Sequence, residues 1–385
     1  MMVGVSGFEM PAGAKLSPDF LLTVNSQDVT ANIKPRLISL TMTDNRGFDA
    51  DQLDIELDDA DGKLVMPIRG AVVSLFLGWQ GQALVSKGQF TVDEVEHHGA
   101  PDIMTIRARS VDFRGTFNSR REVSYHDTKL GDIVRQVAGR NKLDVSLAQG
   151  LADIAVAHID QTQESDAKFL TRLASLYGAV VAIKAGKLMF IRPGNGVTAS
   201  GKPIPQMTIV RADGDRHSFS IADRGAYSGV TASWLHTKDP KPKKVKLQRK
   251  PKVQYLRALQ HPAAKKTKAA VAKPVEAKEG EYLVGSEDNV FALTTVYSTK
   301  AAAMNAATAK WEKLQRGIAE FSLTLAKGRA DLFPETPVVV SGFKSVIDAQ
   351  LWTISKVTHS LSGQGYITSL NFEVLLTDLT YKVED

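Results

Sequence analysis

Seven residues, Gly196-Val197-Thr198-Ala199-Ser200-Gly201-Lys202, carry the glycine and lysine spacing of a phosphate-binding P-loop. In such a loop the backbone N–H groups cradle phosphates, the lysine reaches their oxygens, and a following Ser or Thr holds magnesium. Here the next position is Pro203, which has no hydroxyl, and Pro205 follows it. Prolines this close resist a helix opening directly after Lys202, so an ordinary loop is the better reading.

The acidic run Asp44, Asp49, Asp51, Asp54, Glu56, Asp58, Asp59 and Asp61 invites a calcium or general-acid reading. No set of positions in it reproduces an EF-hand loop with its closing Glu. Asp54, Glu56 and Asp58 alternate with Leu53, Ile55 and Leu57, the pattern of a half-buried strand with one solvated face. His97 and His98 lack an HExxH or other close partner, and His359 sits in the matching place of a second, similar segment, which points to a repeated structural position. No GxSxG elbow marks a hydrolase nucleophile. The absence of cysteine excludes disulfides, thiolate zinc sites, iron–sulfur clusters and cysteine nucleophiles. No catalytic, cofactor-binding or metal-ligating residue is assigned, no cofactor is expected, and the chain reads as a non-enzyme.

Charge is distributed unevenly. Lys238 to Glu279 holds 14 Lys/Arg against Asp239, Glu276 and Glu279, a net of +11, so the rest of the chain, with 34 basic and 39 acidic residues, is net −5. This is the candidate nucleic-acid contact, but its one aromatic, Tyr255, cannot supply the stacking of a single-strand binder. A solvated loop, or a basic arm docking on an acidic protein neighbour, is preferred. Rich in Lys, Pro and Ala, the segment reads as too charged to pack a core and dispensable for folding. A helix over Thr128–Arg140 could be half of a helix-turn-helix, yet Asn141 to Leu147 supplies no convincing second helix.

The elements that must carry these residues are β-rich. Strands are predicted at Phe20–Val24, Leu37–Thr43, Leu53–Leu57, Ala71–Trp79, Phe90–His97 and Met104–Ser110, separated by turn signals such as Asp61-Gly62 and His98-Gly99. Past Phe113 the period becomes helical. Leu130, Ile133, Val134 and Val137 follow Asp127-Thr128, read as an N-cap, and Phe169, Leu170, Leu173, Leu176 and Tyr177 lie between Ser165 as N-cap and Gly178 as C′. A hairpin, Val180–Ile183 with Leu188–Ile191, closes a small α/β insert. Strands resume near Gln206 and at Gly229–Trp234, and a helix from Ser298 to Gly317 carries Met304, Ala307, Trp311 and Leu314 on one face.

The two ends repeat one another. Phe90 to His97 lines up with Trp352 to His359 at an offset of 262, and Leu53 to Leu57 with Phe321 to Leu325 at 268. Ala71 to Ser74 answers Pro337 to Ser341, Gly78 answers Gly342 and Pro67 answers Pro334, and both blocks close on an alternating strand, Met104 to Arg109 and Tyr366 to Phe372. An offset this long describes a duplicated domain rather than a solenoid repeat. The shared fold is expected over residues 20–110 and over 206–235 joined to 320–376. At 385 residues, two or three domains are expected. No apolar run approaches the ~18 residues of a membrane span. Met1 to Lys15 lack a basic start followed by a long apolar stretch, so no export signal is expected and the chain is placed in the cytoplasm of the producing cell until lysis.

Read together, several runs resemble the late control D protein family of P2-like contractile-tail phages. They are Thr43 to Leu57 (Thr-Asp-Asn-Arg-Gly-Phe-Asp-Ala-Asp-Gln-Leu-Asp-Ile-Glu-Leu), Gly88 to Glu96, Glu164 to Ala174, Trp234 to Pro242, and Ser341 to Lys344. The resemblance implies a structural protein, the trimeric tail hub at the centre of the baseplate. In that family two tube-like β-barrels per subunit form a pseudo-sixfold ring joining the sixfold tail tube to the threefold spike. The expected fold is β-rich α+β: a first tube-like antiparallel β-barrel module at 1–114, a small α/β domain at 115–205, and a second barrel module at 206–385. The last is interrupted by a basic flexible insertion at 236–281 and a helix at 298–317. The expected partners are two further copies, the tail tube protein, the central spike protein, other baseplate proteins and the tape-measure protein, with no membrane anchor and no specific nucleic acid. The expected location is the baseplate of a phage or of a tail-derived bacteriocin, assembled in the host cytoplasm. A DNA-binding late-gene regulator acting through the basic insertion and the Thr128–Arg140 helix is the alternative. A peptidoglycan hydrolase has no catalytic constellation to support it.

Overall fold

A computed structural model describes residues 17–47, 50–110, 116–184, 186–194, 196–198, 201–221, 227–236, 239–249, 254–255, 276–277, 289–317, 319–375 and 381–384. Alternation sets the first elements: β1 (Pro18–Val24), β2 (Gln27–Asp28), the short α1 (Thr30–Ile33), β3 (Leu37–Asn45), β4 (Gln52–Asp58), β5 (Val72–Trp79), β6 (Val85–His98) and β7 (Ile103–Arg109). In β4, Leu53, Ile55 and Leu57 are buried while Glu56 and Asp58 are exposed, as the period-2 pattern requires. Each such side chain contributes roughly 1.5–3 kcal/mol by leaving water.

The insert is built from β8 (Arg120–Lys129), α2 (Leu130–Arg140), β9 (Asp144–Leu147), β10 (Ala155–Ser165), α3 (Asp166–Leu176), β11 (Val180–Lys184) and β12 (Lys187–Ile191). β8 pairs antiparallel with β10, and β11, β12 and β9 make a second sheet in which β9 runs parallel to β12. Leu130, Ile133, Val134 and Val137 face Phe169, Leu170 and Leu173 in one core. α3 starts as the sequence predicts, with the Ser165 hydroxyl accepting from the Lys168 N–H, and Gly178 follows the C-cap Tyr177 at φ +64°. α2 does not. Asp127-Thr128 is not its N-cap, because Thr128 lies in the β8 ladder opposite Val156 and the helix opens only at Leu130, with Lys129 as N-cap.

Chain order continues through β13 (Met207–Val210), β14 (Gly214–Ile221), β15 (Gly229–His236), β16 (Asp239–Arg249), β17 (Gln254–Tyr255), β18 (Glu276–Ala277), β19 (Val290–Tyr297), α4 (Lys300–Arg316), β20 (Ala319–Leu325), β21 (Pro337–Ser341), α5 (Ser345–Asp348), β22 (Leu351–Ser362), β23 (Gly365–Val374) and β24 (Tyr381–Glu384). The chain divides into two compact units, Met1–Ser220 with Ala319–Leu375, and Ile221–Ile318 with Leu376–Asp385.

In the first unit a 13-stranded sheet runs β14-β20-β23-β22-β3-β4-β7-β6-β5-β1-β2, with β13 on β21 and β21 on β22. One wiring occurs in it twice: β4-β7-β6-β5 and β20-β23-β22-β21. All the pairings within each set are antiparallel. Phe90 stands opposite Val73, and Trp352 opposite Val338; both rings are fully buried. Val92 stands opposite Ala108, and Ile354 opposite Phe372. The surroundings of the two copies differ at one edge, since β1 runs antiparallel to β5 whereas β13 runs parallel to β21.

Two sequence expectations are corrected in the second unit. Gly229–Trp234 does not join the sheet of β13 and β14; as part of β15 it pairs with β16 and β19, burying Val230 and Ala232 against Ala303, Ala307 and Trp311 of α4. The basic segment also begins as ordered structure. β16 lies between β15 and β24 and buries Val245 and Leu247, so deletion from Lys238 would remove a sheet strand and could not be neutral. Most of the remaining basic stretch lies outside the described residues. α4 runs inside the predicted limits, capped by the Thr299 hydroxyl accepting from Ala302 N–H.

Gly328 sits where no Cβ fits. A Cβ there would lie 2.4 Å from the Tyr366 ring, while the Gly328 N–H donates to Tyr366 O (2.8 Å) and its carbonyl accepts from Trp79 Nε1 (2.9 Å). Gly328→Ala is expected to cost about 1–3 kcal/mol, as overpacking of a filled core does. Gly139→Ala, on the exposed side of α2 with open space around it, is expected to be neutral or to gain up to about 1 kcal/mol. Urea midpoints of the two variants against the parent check both signs.

Candidate assembly interface

β6 and β22 each do three things along one strand. Their first parts pair with β5 and β21, one edge pairs with β7 from Thr91 to His98 and with β23 from Trp352 to Ser362, and each carries an irregularity at the same place, between Val92 and Glu94 and between Ile354 and Lys356. A bulge bends the strand and increases its twist, carrying the second half away from its first-half partner. In β22 the edge released in this way is filled by β3, in antiparallel register from Lys356 opposite Asn45 to Ser362 opposite Ser39. The two copies of the wiring are joined through this ladder.

Charge seals the junction. Just beyond the end of β3, Arg46 is ion-paired with both Glu335 and Glu373, and its Nη2 reaches Ile354 O at 3.5 Å. Arg46 and Glu335 are only 12% exposed. The Glu335 carboxylate also accepts from Gly194 N–H (2.7 Å), which ties in the chain after β12. From the insert, Lys184 is ion-paired with Asp44 and lies 3.5 Å from Asp51. Burial and then the neighbouring Asp44 charge raise the Asp51 pKa to about 6, with Lys184 opposing. Burial works against the Lys184 ammonium, but Asp44 and Asp51 outweigh it and its pKa is raised.

Behind the ladder lies a polar core. His359 Nδ1 is 3.0 Å from Thr368 Oγ1 and 3.1 Å from the Tyr366 hydroxyl, all three residues being buried. Burial, and then the Lys87 ammonium, hold the His359 pKa down at about 3. Lys87 is itself lowered to about 8, chiefly by burial, and donates to Leu332 O (3.3 Å). Trp79 packs against Tyr366 with ring centroids 5.6 Å apart, so Tyr366 and Leu361 share a core with Phe20, Leu40 and Trp79.

The residues singled out from sequence are scattered through the fold. In the P-loop-like run Val197 bridges to Pro203 and Thr198 N–H donates to Lys202 O, Ala199 and Ser200 lie outside the described residues, and no helix follows Lys202 where a P-loop needs one. The acidic run is divided: Asp44 and Asp51 face Lys184, Asp61 pairs with Arg36 (2.6 Å), and Asp59 lies 3.4 Å from His97. His97 and His359 do occupy matching register positions, opposite Met104 and Thr368, yet His97 is partly exposed and His359 buried. The sequence reading missed the roles of Arg46, Glu335, Glu373, Lys184 and Lys87. Arg46 and Glu373 are 327 residues apart, and no local spacing signals such a pair.

Comparison with known proteins places this geometry. The family model described as "Phage tail baseplate hub (GPD)" matches residues 50–365. The chain is 66% identical over 386 residues to a "Probable baseplate hub protein" of Escherichia phage 186, covering 99% of each chain. It is 65% identical over 377 residues to the protein of the same name from Escherichia phage P2, covering 97% of each. Among solved structures it resembles a tail protein from Neisseria meningitidis MC58, with TM-score 0.62, 13% identity, and 93% of this chain and 96% of that one covered. A 43 kDa tail protein of prophage MuSo2 from Shewanella oneidensis gives TM-score 0.60 at 13% identity, with 93% and 99% covered. At such identity these two resemblances speak for the fold.

The buried histidine sets an acid limb of stability. In the unfolded chain His359 titrates near its ordinary ~6.5, and in the folded chain at about 3, so as pH falls below ~6.5 the unfolded state takes up a proton that the native state refuses. Stability present above that pH is drained at up to ~1.4 kcal/mol per pH unit. Between pH 6.5 and 4.5 the parent is expected to lose about 2–3 kcal/mol through this group, and His359→Gln should lose correspondingly less. Urea unfolding across that range reads the slope for each; identical slopes would contradict the assignment.

Proposed function

The chain belongs to the phage tail baseplate hub family, and we propose that it acts there as a homotrimer whose six near-equivalent β-modules form one ring. That ring joins the sixfold tail tube to the threefold central spike. The observation that carries this reading is the doubled wiring β4-β7-β6-β5 and β20-β23-β22-β21, with the bulge at the same place in each. A threefold assembly of chains that each hold two matching modules offers six similar docking positions, so a sixfold neighbour meets a near-sixfold surface. Closed cyclic assembly also consumes strand edges that otherwise invite aggregation.

In this reading the modules are 1–114 and 206–385, the α/β domain is 115–205, and the second module carries the inserted unit that holds the basic stretch. The two modules descend from one by duplication. The work is geometric and non-enzymatic. The tail tube and spike proteins are the axial partners; other baseplate proteins and the tape-measure protein are the remaining neighbours. The protein assembles in the host cytoplasm and leaves in the tail baseplate of a phage or of a tail-derived bacteriocin.

The solution mass of the purified chain, and the copy number per particle in assembled tails, test the reading. Three copies are expected in both, unchanged when residues 256–275 are replaced by a short neutral linker. A dimer that binds DNA sequence-selectively, and loses that binding with 256–275, would overturn the hub reading in favour of the late-gene regulator.

A further inference from the structure

Among the described residues of one chain, two strand edges are left open that match the two edges joined at the β3–β22 junction. The second half of β22 has β23 on one side and β3 on the other. Its counterpart, the second half of β6, has β7 on one side and, among the described residues, no strand on the other, because β5 reaches only to Thr91. At the far end of the sheet β14 lies beside β20 and, among the described residues, no further strand follows it.

β14 stands to β20 as β3 stands to β4. Leu37 lies opposite Leu57, and Leu57 corresponds to Leu325. Ala326 N–H donates to Asp213 O at 3.0 Å, and a Cβ on Gly214 would meet the side chain of Leu323 and the backbone of Thr324, so Gly214 takes the place of Leu37, a shift of 177. The shift keeps the inward faces aligned: His217 and Phe219 turn to Phe343 and Trp352, as Leu40 and Met42 turn to the core.

Burial independently marks both edges as lacking a neighbour. Leu40 and Met42 are fully buried, whereas His217 is exposed and Phe219 only half-buried. Val357 and His359 are buried in β22, whereas the corresponding Val95 is half-buried and His97 exposed in β6. Neither open stretch, Glu94–His98 or Gly214–Ile221, contains the Pro or Lys that commonly blunts a free edge.

We propose that β14 of one copy pairs antiparallel with the second half of β6 of the next, in the register of the internal junction. Carrying the β22–β3 pairs over by 262 and 177 residues sets Glu96 opposite Ser220, His97 opposite Phe219, and His98 opposite Ser218. The occupant of each edge is therefore a second copy of this chain. The contact is head-to-tail, with different strands on the two sides, so it closes only as a ring. The inference rests on the homotrimer reading and specifies its interface.

The chain has no cysteine, so introduced pairs report without background. Directly opposed residues of an antiparallel pair lie ~4.5–5.5 Å apart between Cα atoms, within disulfide reach. Thr43→Cys with Thr358→Cys, which lie opposite each other inside one chain, is the internal control and should close a bond without changing the chain mass. Glu96→Cys with Ser220→Cys should shift the oxidised band on a denaturing gel from one chain mass to three, reversibly with reductant, in the purified protein and in tails. Each single variant, and the out-of-register pair Glu96→Cys with Ser218→Cys, should stay at one chain mass. A protein that is trimeric by mass, closes the control bond and gives no interchain bond between 96 and 220 would overturn this interface while leaving the trimer intact. Absence of a trimer by mass, in solution and in tails, would instead overturn the ring reading and this interface with it.

Discussion

The first unit depends on one ladder, β3 against β22. It joins strands more than 300 residues apart in sequence. Bringing such distant segments together carries a loop-closure cost that grows slowly with length, and the ladder must offset it with buried surface. Leu40, Met42, Val357 and Leu361 supply apolar burial along the two strands. Register is then held by charge: Arg46 faces Glu335 and Glu373 at one end, and Lys184 faces Asp44 and Asp51 from the insert. Buried ion pairs add little net stability, because desolvation consumes the Coulombic gain, but a slip would strand charges in a site of low dielectric. A one-residue slip would also turn every side chain of the strand to the wrong face.

The bulge makes this ladder available. A straight strand would keep its first partner to its end, whereas the irregularity after Val92 and after Ile354 divides each strand into two pairing zones. In β22 the first zone pairs with β21 and the second with β3, on the far side of the junction. In β22 the one bulge therefore serves both its own wiring and the junction with the other, and this is how a doubled wiring becomes one continuous sheet.

The inserted unit follows a different economy. α4 presents Ala303, Ala307 and Trp311 to Val230, Ala232 and Leu247, small residues letting the helix approach the sheet while one large ring fills the remaining space. β16 manages its charge by alternation. Lys244 is exposed and Lys246 half-buried, while Val245 and Leu247 between them are buried, and the long lysine stems can lie along the sheet with their ammonium groups in water.

The sequence by itself determined what local periodicity governs. The strands of the first module, the Ser165-capped α3, the hairpin of β11 and β12, and the match of Phe90 to Trp352 were all legible, because a period of two or of 3.6 residues is written in neighbours and survives any tertiary context. Charge density hid β16, since composition over some 40 residues outweighed an alternation confined to Lys244-Val245-Lys246-Leu247. Asp127-Thr128 looked like a cap and became part of a strand, because pairing with β10 claimed those backbone groups first. Only the tertiary structure assigned Gly229–His236 to its sheet, gave Arg46 its two carboxylates, buried His359 while leaving His97 partly in water, and chose β3 as the neighbour of β22. Those choices rest on contacts between segments tens to hundreds of residues apart, whose free energies are set by burial and pairing in the folded chain and leave no mark in the local pattern.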